Sequence, residues 1–188
     1  LAAGVHLDIL AAVCKTNDMK VTLSSENFSK ITVDLNNLTR SENEQGTPQA
    51  IIRGIAAGLT KQGFNICGFT ACMTSTIPIG SGLSSSAAFE VLICNIFNHL
   101  ANQQQLPKLK IAELSREAEN VYFGKPCGFM DQIACAFNGI LQIDFATPDN
   151  PEIKTINFDF EEYGYQLAIV ETGGNHANLT WEYAAIPD

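Results

Sequence analysis

The stretch Pro78–Val91, "PIGSGLSSSAAFEV", places two glycines, three consecutive serines and two alanines directly before an apolar run. Glycine and serine side chains add little to a hydrophobic core, so packing alone does not explain this composition. The residues before it resemble a strand and those after it a helix, which predicts a glycine-rich loop between the two. Such a loop can bind phosphate, because glycines let the backbone approach the ligand and the first helical turn presents unpaired N–H groups.

The spacing within this loop differs from two other phosphate-binding motifs. No lysine follows Gly82, which excludes G-x-x-x-x-G-K-[ST], and Ser85 stands where G-x-G-x-x-G requires its third glycine. A tight turn with one serine as a helix cap is the simplest alternative. It does not explain three serines beside Gly80 and Gly82, and we therefore predict an anion-binding loop.

The composition limits which partners the chain can have. It has 188 residues, 46% hydrophobic and 16% charged, which is typical of an ordinary globular domain. The formal net charge of −9 argues against binding to nucleic acid or to an anionic membrane surface, and no apolar run approaches the roughly 20 residues of a membrane span. A small anionic ligand held by a local electropositive site stays compatible with this charge.

The six cysteines, at positions 14, 67, 72, 94, 127 and 135, form no C-x-x-C pair. Most lie in apolar sequence, which predicts buried free thiols and a cytoplasmic location rather than disulfides or a metal site. The three histidines are scattered and give a zinc site almost no support.

The hydrophobic pattern predicts an α+β domain. Its first strands, at 7–13, 19–25 and 30–35, are expected to form a meander, and further strands are expected at 66–76, 140–145, 152–158 and 165–172. A helix is expected to begin at Thr47 and Pro48 and to end at Gly63.

Three more helices are expected after the loop. The first, at 87–100, is apolar nearly all round and should be buried centrally. The second, at 108–124, should turn Ile111, Leu114, Ala118 and Val121 inward. A short third helix should follow the Pro126-Cys127-Gly128 turn and end at Gly139.

Two motifs together resemble the GHMP kinases. The glycine–serine loop is similar to their phosphate loop, its triple serine is similar to the galactokinase branch, and "GKPCGFMDQ" at 124–132 resembles the segment that carries the catalytic aspartate of that branch. The resemblance runs from Thr47 to about Tyr183. It implies the ribosomal protein S5 domain 2-like fold with a left-handed βαβ crossover, and an ATP-dependent sugar 1-kinase that uses Mg²⁺.

The resemblance also implies site residues. The loop residues expected to bind ATP are Pro78, Gly80, Ser81, Gly82, Leu83, Ser84, Ser85, Ser86 and Ala87. Ser86 and Glu119 would ligate Mg²⁺, Asp131 would be the catalytic residue, and Gly128, Asp131 and Tyr183 would contact the sugar.

Taken without the resemblance, two of these acids have simpler interpretations. Asp131 could be a carboxylate that favours the first turn of a helix, and Glu119 could lie on a solvated helical face. Whether Asp131 removes the proton of the sugar hydroxyl or orients that hydroxyl stays open.

The resemblance further implies that residues 1–188 are the N-terminal domain of a two-domain kinase, truncated at its N-terminus and lacking the C-terminal domain, and that this piece alone is inactive. The expected substrate is galactose. No basic residue surrounds Tyr183, which leaves another sugar or an amino sugar open. The remaining alternatives are a non-catalytic regulator that binds sugar and ATP on the same scaffold, and a structural domain without a ligand.

Overall fold

The structure, a computed structural model, describes residues 1–26, 28–78, 81–148 and 150–170. The strands are β1 (Ala2–Ala3), β2 (Ile9–Lys15), β3 (Lys20–Ser25), β4 (Phe28–Asp34), β5 (Phe69–Ser75), β6 (Ile140–Asp144) and β7 (Glu152–Ile156). The helices are α1 (Pro48–Lys61), α2 (Ser85–Ala101), α3 (Lys108–Glu117) and α4 (Met130–Phe137), and a π-helical segment, Ala118–Phe123, continues α3. The predicted α+β class is confirmed.

The larger sheet has the strand order β2-β5-β3-β4, so the predicted opening meander is wrong. Strand β5 lies between β2 and β3, antiparallel to the first and parallel to the second. Its inward residues Phe69 and Ala71 are fully buried, which favours a central position over an edge. The parallel β3–β5 pair requires a crossover connection, and β4 and α1 supply it. The left-handedness of this crossover stays a prediction.

The core lies between this sheet and helices α1, α2 and α3. Val21 and Leu23 of β3 alternate with the less buried Thr22, and the Phe69 ring meets the edge of Phe97 of α2 at 5.3 Å between centroids. Helix α2 is largely buried, as its apolar sequence predicts, and it begins two residues earlier than predicted. Since α2 is anchored this firmly, the loop that precedes it has a fixed end.

Helix α1 packs against the π-helical segment. A Cβ on Gly54 would lie 2.9 Å from the Ala118 Cβ and 2.9 Å from the Tyr122 ring, so only glycine permits this approach. Pro48 begins α1 and Gly63 (φ +82°) follows its end, both as predicted. The Thr47 hydroxyl does not cap the helix and donates instead to the Glu44 carbonyl.

A small antiparallel sheet, β1-β6-β7, lies beside α4. Leu141 of β6 is fully buried against Phe129 and Ile133, at the start of α4 and in its first half. This second cluster fixes the N-terminal turn of α4. None of the helices within the described ranges is long and apolar enough to cross a bilayer.

Two further expectations were wrong, and a third was correct only in part. Val121 is 44% exposed, because the i→i+5 pattern of the π-helical segment changes which residues share a face. Residues 165–170 form no strand and are exposed, having no neighbouring strand to pair with among the described residues. Cys14 and Cys72 are exposed on the outer sheet face, whereas Cys67 and Cys94 are buried as expected, and all six cysteines are free thiols.

We predict that Gly54→Val destabilises the chain by about 1–3 kcal/mol, because the new side chain must push α1 away from Ala118 and Tyr122. Urea unfolding measures this change. Gly128→Ala is the matched control, since a Cβ at Gly128 meets no atom within 4 Å and should leave the unfolding free energy nearly unchanged. Equal stability of the two variants would contradict the close packing of α1 against the π-helical segment.

Candidate active site

Two residues of the glycine–serine loop, shortly before α2, have a left-handed backbone conformation. Gly82 has φ +75° and Ser84 has φ +54°, a conformation that costs a non-glycine residue about 1–2 kcal/mol. The Ser81 hydroxyl donates to the Pro78 carbonyl at 2.7 Å. Gly80 lies outside the described residues.

The Ser84 hydroxyl connects this loop to Asp131. It donates to the Asp131 Oδ2 at 2.7 Å, although the two residues are 47 positions apart in the chain. Ser84 stands at the N-cap of α2 but makes no side-chain cap, so its hydroxyl leaves the first-turn amides of α2 available to a ligand. The loop and Asp131 therefore face the same space.

Asp131 is held by the turn that precedes α4. The Asn120 side chain accepts the Cys127 N–H at 2.7 Å, which fixes the Pro126-Cys127-Gly128 turn against the π-helical segment. Helix α4 then begins at Met130, and Asp131 lies exposed in its first turn.

The loop and this turn enclose a cleft of about 310 Å³, a size suited to a small ligand. Its lining residues are Gly82, Leu83, Ser84, Ser85, Ser86, Ala87, Glu119, Lys125, Cys127, Gly128, Met130, Asp131 and Gln132.

Glu119 lies at the base of this cleft and is only 3% exposed, so its interpretation as a solvated surface residue is wrong. The backbone N–H groups of Gly124 and Lys125 both donate to its carbonyl, at 2.9 and 3.2 Å, which closes the π-helical segment. The Glu119 Oε1 lies 3.1 Å from the Ser86 Oγ.

The spacing of these two oxygens fits Mg²⁺. The ion takes octahedral ligands at about 2.0–2.1 Å, so adjacent ligand oxygens lie about 3 Å apart. Ser86 Oγ and Glu119 Oε1, at 3.1 Å, can thus occupy neighbouring positions, with phosphate oxygens and water completing the shell. Oxygen donors of this kind suit a hard cation such as Mg²⁺.

Glu90, one turn after Ser86 on α2, is a site residue that sequence reasoning missed. Its carboxyl is fully buried, with Oε1 at 2.8 Å from the Ser86 Oγ. Burial and the neighbouring Glu119 carboxylate raise the pKa of Glu90 to about 8. The helical spacing of Ser86 and Glu90 was a signal for this contact, because residues i and i+4 share a face.

The Gln132 amide lies between the two buried carboxyls. Its Nε2 donates to the Glu90 Oε2 at 3.0 Å and to the Glu119 Oε2 at 2.9 Å. Its Oε1 is buried without a hydrogen-bond partner among the described residues. Burial, followed by the charge of Glu119, raises the pKa of the adjacent Cys127 thiol, which keeps that thiol neutral.

The comparisons with known proteins identify the family of the chain. The family model described as "GHMP kinases N terminal domain" matches residues 50–139. A galactokinase of Pyrococcus furiosus is 38% identical over 181 residues, covering 95% of this chain and 49% of that protein. A galactokinase of Streptomyces coelicolor is 32% identical over 174 residues, covering 93% of this chain and 45% of that protein. The chain belongs to the GHMP kinase family.

Solved GHMP kinases share the fold. The crystal structure of Lactococcus lactis galactokinase complexed with galactose superposes with a TM-score of 0.71 at 27% identity, covering 84% of this chain and 42% of that one. The mevalonate kinase of Methanococcus jannaschii superposes with a TM-score of 0.64 at 22% identity, covering 82% of this chain and 48% of that one. The chain thus spans about half the length of the relatives that it matches.

This GHMP kinase chain brings most of the predicted site residues together. Six of the nine expected loop residues line the cleft, from Gly82 to Ala87, as do Glu119, Gly128 and Asp131. A Cβ on Gly128 would meet no atom within 4 Å, so the space beside its backbone is open, as a sugar contact requires. Tyr183, like Gly80, lies outside the described residues.

We predict that the buried Glu90 makes stability fall as the pH rises. Its folded-state pKa of about 8 lies above the ordinary value of 4.5, so the stabilisation is complete below about pH 4.5 and is lost as the pH rises through 8. Between these values the unfolding free energy should decrease by up to about 1.4 kcal/mol per pH unit.

Urea unfolding in metal-free buffer from pH 5 to 9 measures this slope. The Glu90→Gln variant keeps a polar side chain of similar size but cannot ionise, and should show a distinctly shallower slope. The groups facing Glu90 are Ser86, Glu119, Lys125 and Gln132, and all are unchanged in the variant. Identical slopes for the two proteins would contradict a raised pKa at this residue.

We also predict that the Ser84 hydroxyl positions Asp131 at the expense of backbone strain. Ser84→Ala and Ser84→Gly both remove the hydrogen bond to Asp131, but only glycine relieves the left-handed φ of +54°. The alanine variant should therefore be about 1 kcal/mol less stable than the glycine variant in urea unfolding. Greater stability of the alanine variant would rule out strain at this position.

Proposed function

We propose that the protein transfers the γ-phosphoryl group of ATP to the anomeric hydroxyl of galactose, giving galactose 1-phosphate and ADP. The observation that carries this proposal is the 2.7 Å hydrogen bond between Ser84 of the glycine–serine loop and the Asp131 carboxylate. This contact supports the proposal, because the Asp131 carboxylate, our candidate proton acceptor, lies directly beside a loop suited to phosphate. Phosphoryl transfer to an alcohol depends on that juxtaposition, because catalysis is mainly positioning and charge neutralisation.

Each group of candidate site residues has a distinct task in this proposal. The loop from Pro78 to Ala87 binds the phosphates of ATP through its amides and hydroxyls. Asp131 accepts or orients the hydroxyl proton of the sugar. Ser86 and Glu119 hold Mg²⁺, which when bound neutralises charge on the phosphate oxygens. Gly128 and Tyr183 contact the sugar.

We propose that the chain supplies the N-terminal, nucleotide- and sugar-binding part of a two-domain kinase. The matched galactokinases support this division, since this chain covers 49% and 45% of their lengths. We expect residues 1–188 alone to have negligible kinase activity. A cytosolic location, where ATP is available, stays a prediction.

The names of the matched relatives support galactose as the acceptor. The direct test is a panel of hexoses, heptoses and amino sugars, assayed with the complete protein that contains this chain while ADP release is measured. Galactose should give the highest kcat/KM. If only a different sugar stimulated ADP release, that sugar would replace galactose as the proposed substrate. If ATP and galactose bound without ADP release, the protein would instead be a regulator.

We predict that Asp131→Asn lowers kcat by about 10²–10⁴-fold and changes the KM for ATP by less than about threefold. The asparagine keeps the shape of the side chain and can still accept from Ser84, but it cannot take a proton. Steady-state kinetics separate the two parameters. Asp144→Asn in β6, which does not line the cleft, is the matched control and should behave as the unaltered protein. Undiminished turnover of the Asp131 variant would remove this residue from the mechanism.

A further inference from the structure

Lys125 lies in the candidate cleft but has no part in the motif-based assignment. Its side chain is 40% exposed, and its Nζ lies 3.5 Å from the Glu119 Oε1. That oxygen is also the one that lies 3.1 Å from the Ser86 Oγ. The ammonium group is therefore near the point where the start of α2, the π-helical segment and the cleft meet.

The backbone holds Lys125 in this position. Gly124 ends the π-helical segment with φ +84°, and the Lys125 N–H donates to the Glu119 carbonyl at 3.2 Å. The positive φ favours glycine at this position, and a Cβ there, 2.6 Å from the Gln45 amide nitrogen, would also require that flexible side chain to move. The turn returns the chain toward Glu119 and directs the next residue to the cleft wall.

The contact between Lys125 and Glu119 differs from a structural ion pair. Arg53 and Glu44 form a two-pronged pair, with nitrogen–oxygen distances of 2.7 and 2.8 Å, and that arginine also binds backbone carbonyls. With the residues that the structure describes, Lys125 makes one long side-chain contact of 3.5 Å, while an ammonium group has three donors. Most of its hydrogen-bonding capacity is thus available to a ligand in the cleft.

The charges of the cleft indicate which ligand this is. Among the described residues that line it, Glu119 and Asp131 are acids and Lys125 is the single basic residue. The buried Glu90 carboxyl shares the Gln132 amide with Glu119. A nucleotide triphosphate entering this space meets carboxylates that repel it, and the loop amides supply only partial positive charges. The flexible side chain of Lys125, at the wall of the cleft, can bring its ammonium group to the phosphate that lies nearest to these acids.

We propose that Lys125 is a phosphate ligand that contacts the terminal phosphate of the bound nucleotide through its ammonium group. This inference rests on the proposed function, because it assumes that ATP binds in the cleft. Lys125 releases its long contact with Glu119 when the nucleotide enters, which leaves the Glu119 Oε1 free for other ligands.

The test compares the affinities of ATP, ADP and AMP for the complete protein by calorimetry in buffer containing EDTA. Because EDTA removes the metal, Lys125 cannot change the nucleotide affinity indirectly, through Glu119 as a metal ligand. Lys125→Met should weaken ATP binding by about tenfold, weaken ADP binding less and leave AMP binding unchanged. Lys125→Arg keeps the charge and should restore the ATP affinity to within about threefold.

Lys61→Met is the matched control. Lys61 also lies 3.5 Å from a glutamate, Glu117, but it does not line the cleft, and its loss should leave all three affinities unchanged. An equal effect of Lys125→Met on ATP and AMP, or no effect on either, would overturn the assignment. In those cases ATP binding and sugar-dependent turnover by the unaltered protein would still support the proposed kinase, whereas absence of both would refute the kinase itself.

Discussion

The amide of Gln132 joins the three helical elements that carry the candidate site. Its two protons go to the Glu90 carboxyl on α2 and the Glu119 carboxyl on the π-helical segment, while Gln132 itself lies in the first turn of α4. Each of these elements supplies one candidate functional group, namely Ser86, Glu119 and Asp131. The relative positions of these groups therefore depend on a buried polar contact, and apolar packing alone would allow the helices to slide by fractions of an ångström.

This polar contact reduces the free energy of unfolding, and the apolar packing around it compensates for that loss. Two buried carboxyls next to each other repel when both are ionised, and burial together with the neighbouring Glu119 raises the pKa of Glu90, which favours its protonated form. The Gln132 Oε1 is left without a partner among the described residues, which costs about 1–3 kcal/mol. Buried polar groups of this kind destabilise a fold unless the packing around them is strong. Here the nearly continuous apolar faces of α2 and β5 provide that packing.

The sequence predicted the local chemistry of the site better than the topology of the fold. The glycine–serine loop, the turn before α4 and the position of Asp131 follow from glycine, proline and serine, whose backbone effects act over a few residues. The position of β5 between β2 and β3 was missed, because it depends on pairing between segments more than 40 residues apart. Val121 was misplaced because one π-helical turn changes the helical period, and no residue type specifies such a turn. Glu90 was missed because its burial depends on Gln132 and Glu119, which other elements bring to it.

The carboxylates of Glu119 and Asp131 affect which form of a nucleotide the candidate cleft can bind. A unit negative charge on a phosphate within about 4–6 Å of the Glu119 or Asp131 carboxylate would be repelled by about 3–4 kcal/mol at an effective dielectric constant of 20. The first-turn amides of α2 offset only part of this repulsion, since a helix end contributes about half a charge. Under the proposed function, a divalent cation held by Ser86 and Glu119 would offset this repulsion by neutralising negative charge in the cleft. If the cleft binds ATP as proposed, its carboxylates should therefore favour the metal-bound nucleotide over the free one, and the net charge of −9 of the chain does not conflict with binding of an anion.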